Sequence, residues 1–314
     1  MPRHLLNLLD LGPAGLVEVL DLADRMKRLR GGADHPRSLA GKSIGLIMEK
    51  SSTRTRISFE VGIYELGGQP VALAGRDLQL GRDEPLTDTA KVLSRYLHGV
   101  VIRTHAHERI ETLAQASEVP VINALTDKFH PCQLLADLMT IREHRKVGLA
   151  GMRVAWVGDG NNMAHSWILA SALADFELHL ACPAGYQPLA DVLAVADSLG
   201  RGKRVLGTDV DAAVGGAHVI TTDVWASMGQ EDEREERQRA FAGFCVSQQH
   251  ISLAASDVLF LHCLPAHRGE EVEAAVIDGP HSVVWDEAEN RLHAQKALLQ
   301  LLCGTSPRSE LVAV

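Results

Sequence analysis

At 314 residues, 46% apolar and 23% charged, the chain is long enough for two domains of roughly 150 residues, each with a core that needs no covalent staple. Its net charge of −9 argues against a general nucleic-acid or anionic-membrane surface, which would need a broad excess of Lys and Arg, but leaves room for a local cationic pocket. The five cysteines (Cys132, Cys182, Cys245, Cys263, Cys303) are scattered and lack a C-x-x-C pair. That spacing fits neither a disulfide framework nor a structural zinc site, and points to a reducing compartment, the cytoplasm.

The chain opens with an apolar stretch too short and too interrupted for a signal peptide or membrane span, followed by an amphipathic helix. Short apolar runs then alternate with segments of helical period. The strands predicted are Ser43–Met48, Val100–Arg103, Val119–Asn123, Arg153–Val157, Glu177–Cys182, Ala217–Thr221 and Asp257–Cys263, with a short last one at Val283–Trp285. Helices are predicted at Ile57–Leu66, Leu86–Leu97, Gln133–His144, Ser166–Ala174 and Ala288–Leu302. This alternation predicts an α/β fold with parallel sheets covered on both faces. The polar stretch Lys146–Gly151 marks the best boundary, giving domains over 1–146 and 147–288. Residues 289–314 form no further unit, so the last helix is expected to pack back on the first domain.

Five motifs carry chemistry. SSTRTR (Ser51–Arg56) follows a strand and opens a helix in which Ile57, Val61 and Tyr64 recur at helical spacing. A helix N-terminus offers backbone N–H groups to an anion. Ser52, Thr53 and Thr55 add hydroxyls, and Arg54 adds a planar fork for phosphate oxygens. A simple N-cap with two solvated arginines is the competing account, and Arg56, pointing away from Arg54, is expected only to brace the site. In FHPCQ (Phe129–Gln133), Pro131 suits a first helical turn, so His130 and Gln133 converge at that helix end. Alone this is a weak signal, since a capping His and a surface Gln would look the same.

VGDGNNMAHS (Val157–Ser166) lies at a strand-to-helix turn. Gly158 and Gly160 imitate a dinucleotide fingerprint, but Met163 takes the third glycine position and no ribose-binding acid follows the next strand. What remains is a tight turn presenting Asn161 and Asn162 at a strand's carboxyl end. TDVWASMG (Thr222–Gly229) places Asp223 at another strand end, suited to an ammonium group or equally to capping a helix, with Ser227 and the Met228 backbone nearby. HCLPAHRG (His262–Gly269) admits three accounts: a Cys–His nucleophile, a metal site on His262, Cys263 and His267, or a buried thiol lining a pocket. The last is favoured because neither alternative has its usual accessory residues. Leu264–Pro265 is a candidate cis peptide that would turn the Leu264 carbonyl toward a ligand.

STRTR, HPCQ, GDGNNM, D-x-x-x-SMG and HCLPAHRG stand in the order and approximate spacing of the ornithine carbamoyltransferases, and the resemblance runs nearly the full chain to DEAENR (Asp286–Arg291). It implies two doubly wound domains, with carbamoyl phosphate on the first and L-ornithine on the second. It also implies a homotrimer with active sites at subunit interfaces, needing neither metal nor cofactor. Carried over by motif, the carbamoyl phosphate residues are Ser52, Thr53, Arg54, Thr55, Gln79 (reaching a neighbouring subunit's site), Arg103, His130, Gln133, Cys263, Leu264 and Arg291. Asn162, Asp223, Ser227 and Met228 fall to ornithine, with Asn161 a rival for the place of Asn162. Arg54, Arg103, His130 and Cys263 are the catalytic candidates. The family's ornithine-closing loop corresponds to Gln230–Ala240, which by charge alone reads as a solvated surface. The expected reaction is arginine-metabolism chemistry, carbamoyl transfer to the δ-amine of L-ornithine giving L-citrulline and phosphate. Another acceptor such as putrescine is the alternative.

Overall fold

A computed structural model describes residues 4–74, 84–146, 148–226 and 233–304. Two compact units divide the chain: 1–139 with 289–314, and 140–288. The dividing points lie inside two helices, α5 (Pro131–Arg145) and α12 (Val284–Cys303).

In the first unit a short turn at Leu8–Leu11 leads into α1 (Gly12–Leu29). Then follow β1 (Ser43–Met48), α2 (Thr53–Glu65), β2 (Gln69–Ala74), α3 (Leu86–Tyr96), β3 (Gly99–Arg103), α4 (His107–Ala116), β4 (Val121–Leu125) and α5. Among the described residues the strands form a parallel sheet of order β2-β1-β3-β4. Ile47, Val100, Ile102, Ile110, Leu113 and Val121 pack in its core. Each such aliphatic side chain contributes about 1.5–3 kcal/mol by leaving water.

The second unit carries β5 (Arg153–Val157), α6 (Asn162–Ala174), β6 (Glu177–Ala181), α7 (Ala190–Ser198), β7 (Lys203–Gly207), α8 (Val210–Val214), β8 (Val219–Thr222), α9 (Arg234–Ala240), α10 (Gln248–Leu253), β9 (Leu259–His262) and α11 (Ala274–Ile277). Its described strands form a parallel sheet of order β7-β6-β5-β8-β9 around a core that includes Val157, Ile220, Trp225, Phe241 and Phe260. Both sheets are doubly wound, as expected, and α12 packs on the first unit. There Lys296 Nζ meets Glu65 Oε2 at 2.6 Å, and Ser58 Oγ donates to Gln295 Oε1 at 2.7 Å.

Three expectations need correction. The strand predicted at Val283–Trp285 is a single bridge between Ser282 and Phe260, and α12 begins at Val284. β2 and β7 went unpredicted. Both are edge strands, and β7 is largely exposed, so neither carries the apolar run of a strand covered on both faces. Finally, the helix predicted at Ile57–Leu66 runs over Thr53–Glu65, and its apolar positions Ile57 and Tyr64 point to the surface. Ile57 is 52% and Tyr64 75% exposed, while α2 buries Thr55, Phe59, Gly62 and Ile63. No described helix is long and apolar enough to cross a membrane.

Candidate functional site

Strand order decides where the motifs meet. In a doubly wound sheet the loops diverge where the order reverses, opening a crevice at the strands' carboxyl ends. In the first unit that point lies between β1 and β3, where Met48 pairs with Arg103. SSTRTR leaves the first of these strands and Arg103 ends the second. In the second unit it lies between β5 and β8, where Val157 pairs with Thr222, and Thr222 in turn pairs with His262. Gly158, Asp223 and Cys263 are therefore the next residues of three adjacent strand ends.

In the first unit Ser52 caps α2: its Oγ accepts from Thr55 N at 3.3 Å and donates to Thr55 Oγ1 at 3.1 Å. Thr53 and Arg54 stand exposed on the first turn, while Thr55 is buried. Arg56 pairs with Glu60 at 2.8 Å on an exposed face. From α12, Arg291 donates through Nη1 to Gln133 Oε1 at 2.6 Å and through Nη2 to Thr55 Oγ1 at 3.4 Å. Gln133 Nε2 in turn donates to Asp137 Oδ1 at 2.8 Å, which orients its amide with the oxygen toward the arginine. Arg103 and His130 are buried. His130 is held well below its ordinary pKa, first by burial and then by the charges of Arg291 and Arg103. Its imidazole is therefore neutral at physiological pH. Thr55, Arg103, His130, Gln133 and Arg291 thus come together from four elements. Gln79 lies outside the described residues.

In the second unit the two glycines of the β5–α6 turn serve packing. Gly158 has φ +136°, and a Cβ on Gly160 would stand 2.2 Å from Pro188 N. The Gln187–Pro188 backbone approaches where a side chain would be. Asn161 is the cap of α6: Oδ1 accepts from Met163 N at 2.9 Å and Ala164 N at 3.3 Å, and Nδ2 donates to Asp223 Oδ2 at 3.0 Å. Both ends of its amide are engaged within the protein, and Asn162 is the first residue of the helix. Asp223 also accepts from Val224 N at 2.8 Å and from Cys263 Sγ at 3.2 Å. Ser227 and Met228 lie outside the described residues.

His262 answers the alternatives raised by HCLPAHRG. Its Nδ1 accepts from Leu264 N at 2.9 Å, which leaves the proton on Nε2, 3.2 Å from Glu271 Oε1. The backbone N–H of His262 donates to Glu287 Oε2 at 2.8 Å. Asp223, His262 and Cys263 do bring ligand-type atoms within 4.8 Å of one another. Yet both imidazole nitrogens are engaged elsewhere, so the arrangement suits neither a metal nor a Cys–His nucleophile. Leu264–Pro265 is cis, with Leu264 at φ +56°.

Sequence reasoning missed one anchor. The charged run Gln230–Ala240 contains Arg237, which is 6% exposed. Its Nη1 donates to Asp159 Oδ2 at 2.8 Å and to Trp225 O at 2.9 Å, and its guanidinium lies over Tyr186. Burial pushes the Asp159 carboxyl up while its bond to Arg237 pulls it down, with a net rise. The one local hint was aromatic Phe241 closing so polar a run.

Residues 3–143 match the carbamoyl-P binding domain of aspartate/ornithine carbamoyltransferase, and residues 150–302 match the Asp/Orn binding domain of the same family. The ornithine carbamoyltransferase of Pelobacter propionicus is 55% identical over 306 residues, covering 97% of this chain and 99% of the relative. The anabolic ornithine carbamoyltransferase 1 of Pseudomonas savastanoi is 52% identical, covering 97% and 98%. The solved ornithine carbamoyltransferase of Pyrococcus furiosus aligns with a TM-score of 0.91 at 48% identity, over 96% of this chain and 97% of that one. Motifs, topology and full-length similarity agree: the chain belongs to the aspartate/ornithine carbamoyltransferase family, among its ornithine carbamoyltransferases.

Proposed function

We propose that this protein transfers the carbamoyl group of carbamoyl phosphate to the δ-amine of L-ornithine, giving L-citrulline and phosphate. The observation that carries the reading is that each unit has a strand-end site, and the two carry opposite charge. Arg54, Arg103 and Arg291 with neutral His130 suit a dianionic acyl phosphate, and the Asp223 carboxylate suits an α-ammonium group. Ser52, Thr53, Arg54 and Thr55 hold the phosphate through hydroxyls, guanidinium and the open N–H groups of the α2 N-terminus. Arg103 and Arg291 reach from phosphate toward the carbonyl, where His130 and Gln133 bind the carbamoyl end. Asn162 and the Met228 backbone take the ornithine carboxylate. Asp223 and Ser227 take its α-amine, and Cys263 and Leu264 stand by the reacting amine.

Chemistry then follows from positioning and charge. The neutral δ-amine attacks the carbamoyl carbon, a tetrahedral intermediate forms, and its collapse breaks the carbon–oxygen bond to phosphate, which departs with the proton the amine loses. Charge develops on the carbonyl oxygen and the leaving phosphate, where fixed cationic donors stabilise it most. A neutral imidazole at His130 donates to that oxygen without needing to lose a charge. Free primary amines of this type titrate at about 10.4, so ornithine arrives protonated. The field of three arginines favours the neutral, nucleophilic form.

We further infer a biosynthetic role in the cytoplasm and assembly as a homotrimer, with Gln79 serving a neighbouring subunit. The relatives named anabolic support the first point, and five cysteines that form no disulfide support the compartment. The exposed apolar positions Ile57 and Tyr64 on α2, with Val92 and Tyr96 on α3, support a protein-covered face.

The test is to supply carbamoyl phosphate with L-ornithine, putrescine, N-acetylornithine and L-aspartate separately and measure each ureido product. Citrulline should form with ornithine alone. A preference for any other acceptor would overturn the assignment of Asp223 to an α-ammonium group. Light scattering on the same sample should return three times the chain mass.

A further inference from the structure

Arg103 ends β3 at an irregular place. Ile102 pairs with Asn123 but Arg103 pairs with Leu125, so the register with β4 slips by one residue there. Such slips re-aim the side chain beside them, and something must fix the new direction. The last residue of β1, Met48, pairs with Arg103, and the residue after it is Glu49. Glu49 N donates to Arg103 O at 3.0 Å. One oxygen of its carboxylate accepts from Thr104 Oγ1, and the other accepts from Arg109 Nη2 at 2.8 Å. Thr104 is fully buried, and its own N–H donates to Leu125 O at 3.0 Å. The pair Arg103–Thr104 is therefore gripped from β1 by Glu49 through main chain and carboxylate, and from β4 through the main chain. Arg109, on α4, balances the carboxylate charge.

We propose that Glu49 and Thr104 are positioning residues that set where the Arg103 guanidinium stands, and that carbamoyl phosphate affinity depends on them although neither touches it. The inference rests on the reading of Arg103 as a carbamoyl phosphate ligand. The connection has a physical basis: a planar guanidinium makes its paired bonds to phosphate only within a narrow range of position and angle. Freeing the Thr104 hydroxyl from the Glu49 carboxylate lets the end of β3 drift, and Arg103 drifts with it.

The full chain carrying Thr104→Val, Thr104→Ser, Glu49→Gln or Arg103→Gln is titrated calorimetrically with carbamoyl phosphate in the absence of ornithine. Steady-state KM values for both substrates and thermal midpoints are measured beside it. Val is isosteric with Thr but cannot donate, so Thr104→Val should weaken carbamoyl phosphate binding about tenfold, the worth of one charge-assisted hydrogen bond. The KM for ornithine at saturating carbamoyl phosphate should not move. Thr104→Ser, which restores the donor, should bring affinity back to within about twofold, and Glu49→Gln should fall between. Wild-type affinity in Thr104→Val, whatever its thermal midpoint, together with lost affinity in Arg103→Gln, would overturn the proposal. If Thr104→Val does not fold, Glu49→Gln decides by the same criterion. Unchanged affinity in Arg103→Gln would remove the underlying reading, and this inference with it.

Discussion

The two units share a winding pattern and place their candidate residues at the same kind of point, yet they solve opposite electrostatic problems. In the first, cationic and neutral donors converge from four elements, and buried Gln133 is locked between Arg291 and Asp137. In the second, one carboxylate, Asp223, gathers three donors from three neighbouring segments. Winding order accounts for the location in both. The residues just past each strand account for the sign of the charge. The units also differ in their histidines. Among the described residues, those held below the ordinary value (His35, His107, His130 and His293) all belong to the first unit, each chiefly because burial disfavours the charged ring.

The contrast can be broken most directly at the anion side. Arg54→Gln should lower kcat/KM for carbamoyl phosphate on the order of a hundredfold to a thousandfold, as loss of one transition-state charge donor does. A loss below tenfold in steady-state turnover would mean that the exposed Arg54 is only a solvated cap neighbour. Next in size comes the anchor of the second unit. Arg237→Met leaves Asp159 buried without its partner and should cost about 3 kcal/mol of stability in denaturant titration. An unchanged midpoint would show that Asp159 relaxes to water or takes up a proton at no cost.

Asp223→Asn should raise the KM for ornithine roughly thirtyfold, since it removes the charge opposite the α-ammonium group. Carbamoyl phosphate affinity measured alone should change far less, because all its candidate residues except Cys263 and Leu264 lie on the other unit. Equal losses for both substrates would erase the division of labour. The smallest effect is acid sensitivity. A histidine whose folded pKa is depressed contributes stability that is complete above about pH 6.5 and is lost as pH falls through the folded value. For His293 the folded value is about 4, so its share is lost between about pH 6.5 and that value. Hydrogen exchange between pH 7.5 and pH 5 should therefore show the first unit loosening before the second. His293→Gln should reduce the difference; a uniform loosening would place the acid-labile groups elsewhere.

How far the fold was legible follows from which forces are local. Strands buried on both faces announce themselves as apolar runs, and so β1, β3, β4, β5, β6, β8 and β9 were found to within a few residues. β2 and β7 were missed because these edge strands are partly or largely exposed, whereas the edge strands β4 and β9 are mostly buried. Ser52 and Asn161 act at helix starts as their residue types suggest. The sequence left open which asparagine was the ligand; that Asn161 is the cap depends on the backbone angles of the turn. The likeness of GDG to a nucleotide turn was rightly set aside, but its reason, the close approach of Gln187–Pro188, is a contact some twenty-seven residues away in the chain.

By itself, then, the amino-acid sequence determined the alternation of strand and helix, the chemical type of each strand-end motif and, through the order of those motifs, the family. Those are consequences of short-range periodicity, caps and side-chain chemistry. Tertiary structure alone decided which charged residues are structural and which stand open. It buried Arg237 inside the most polar run, turned Ile57 and Tyr64 outward, and brought Arg291 to Thr55 across 236 positions of sequence. It also gave His262 to Glu271 and left Cys263 to Asp223. The physical reason is common to all of these: burial and partnership are set by what the fold lays against a side chain, and that is written in residues far from it.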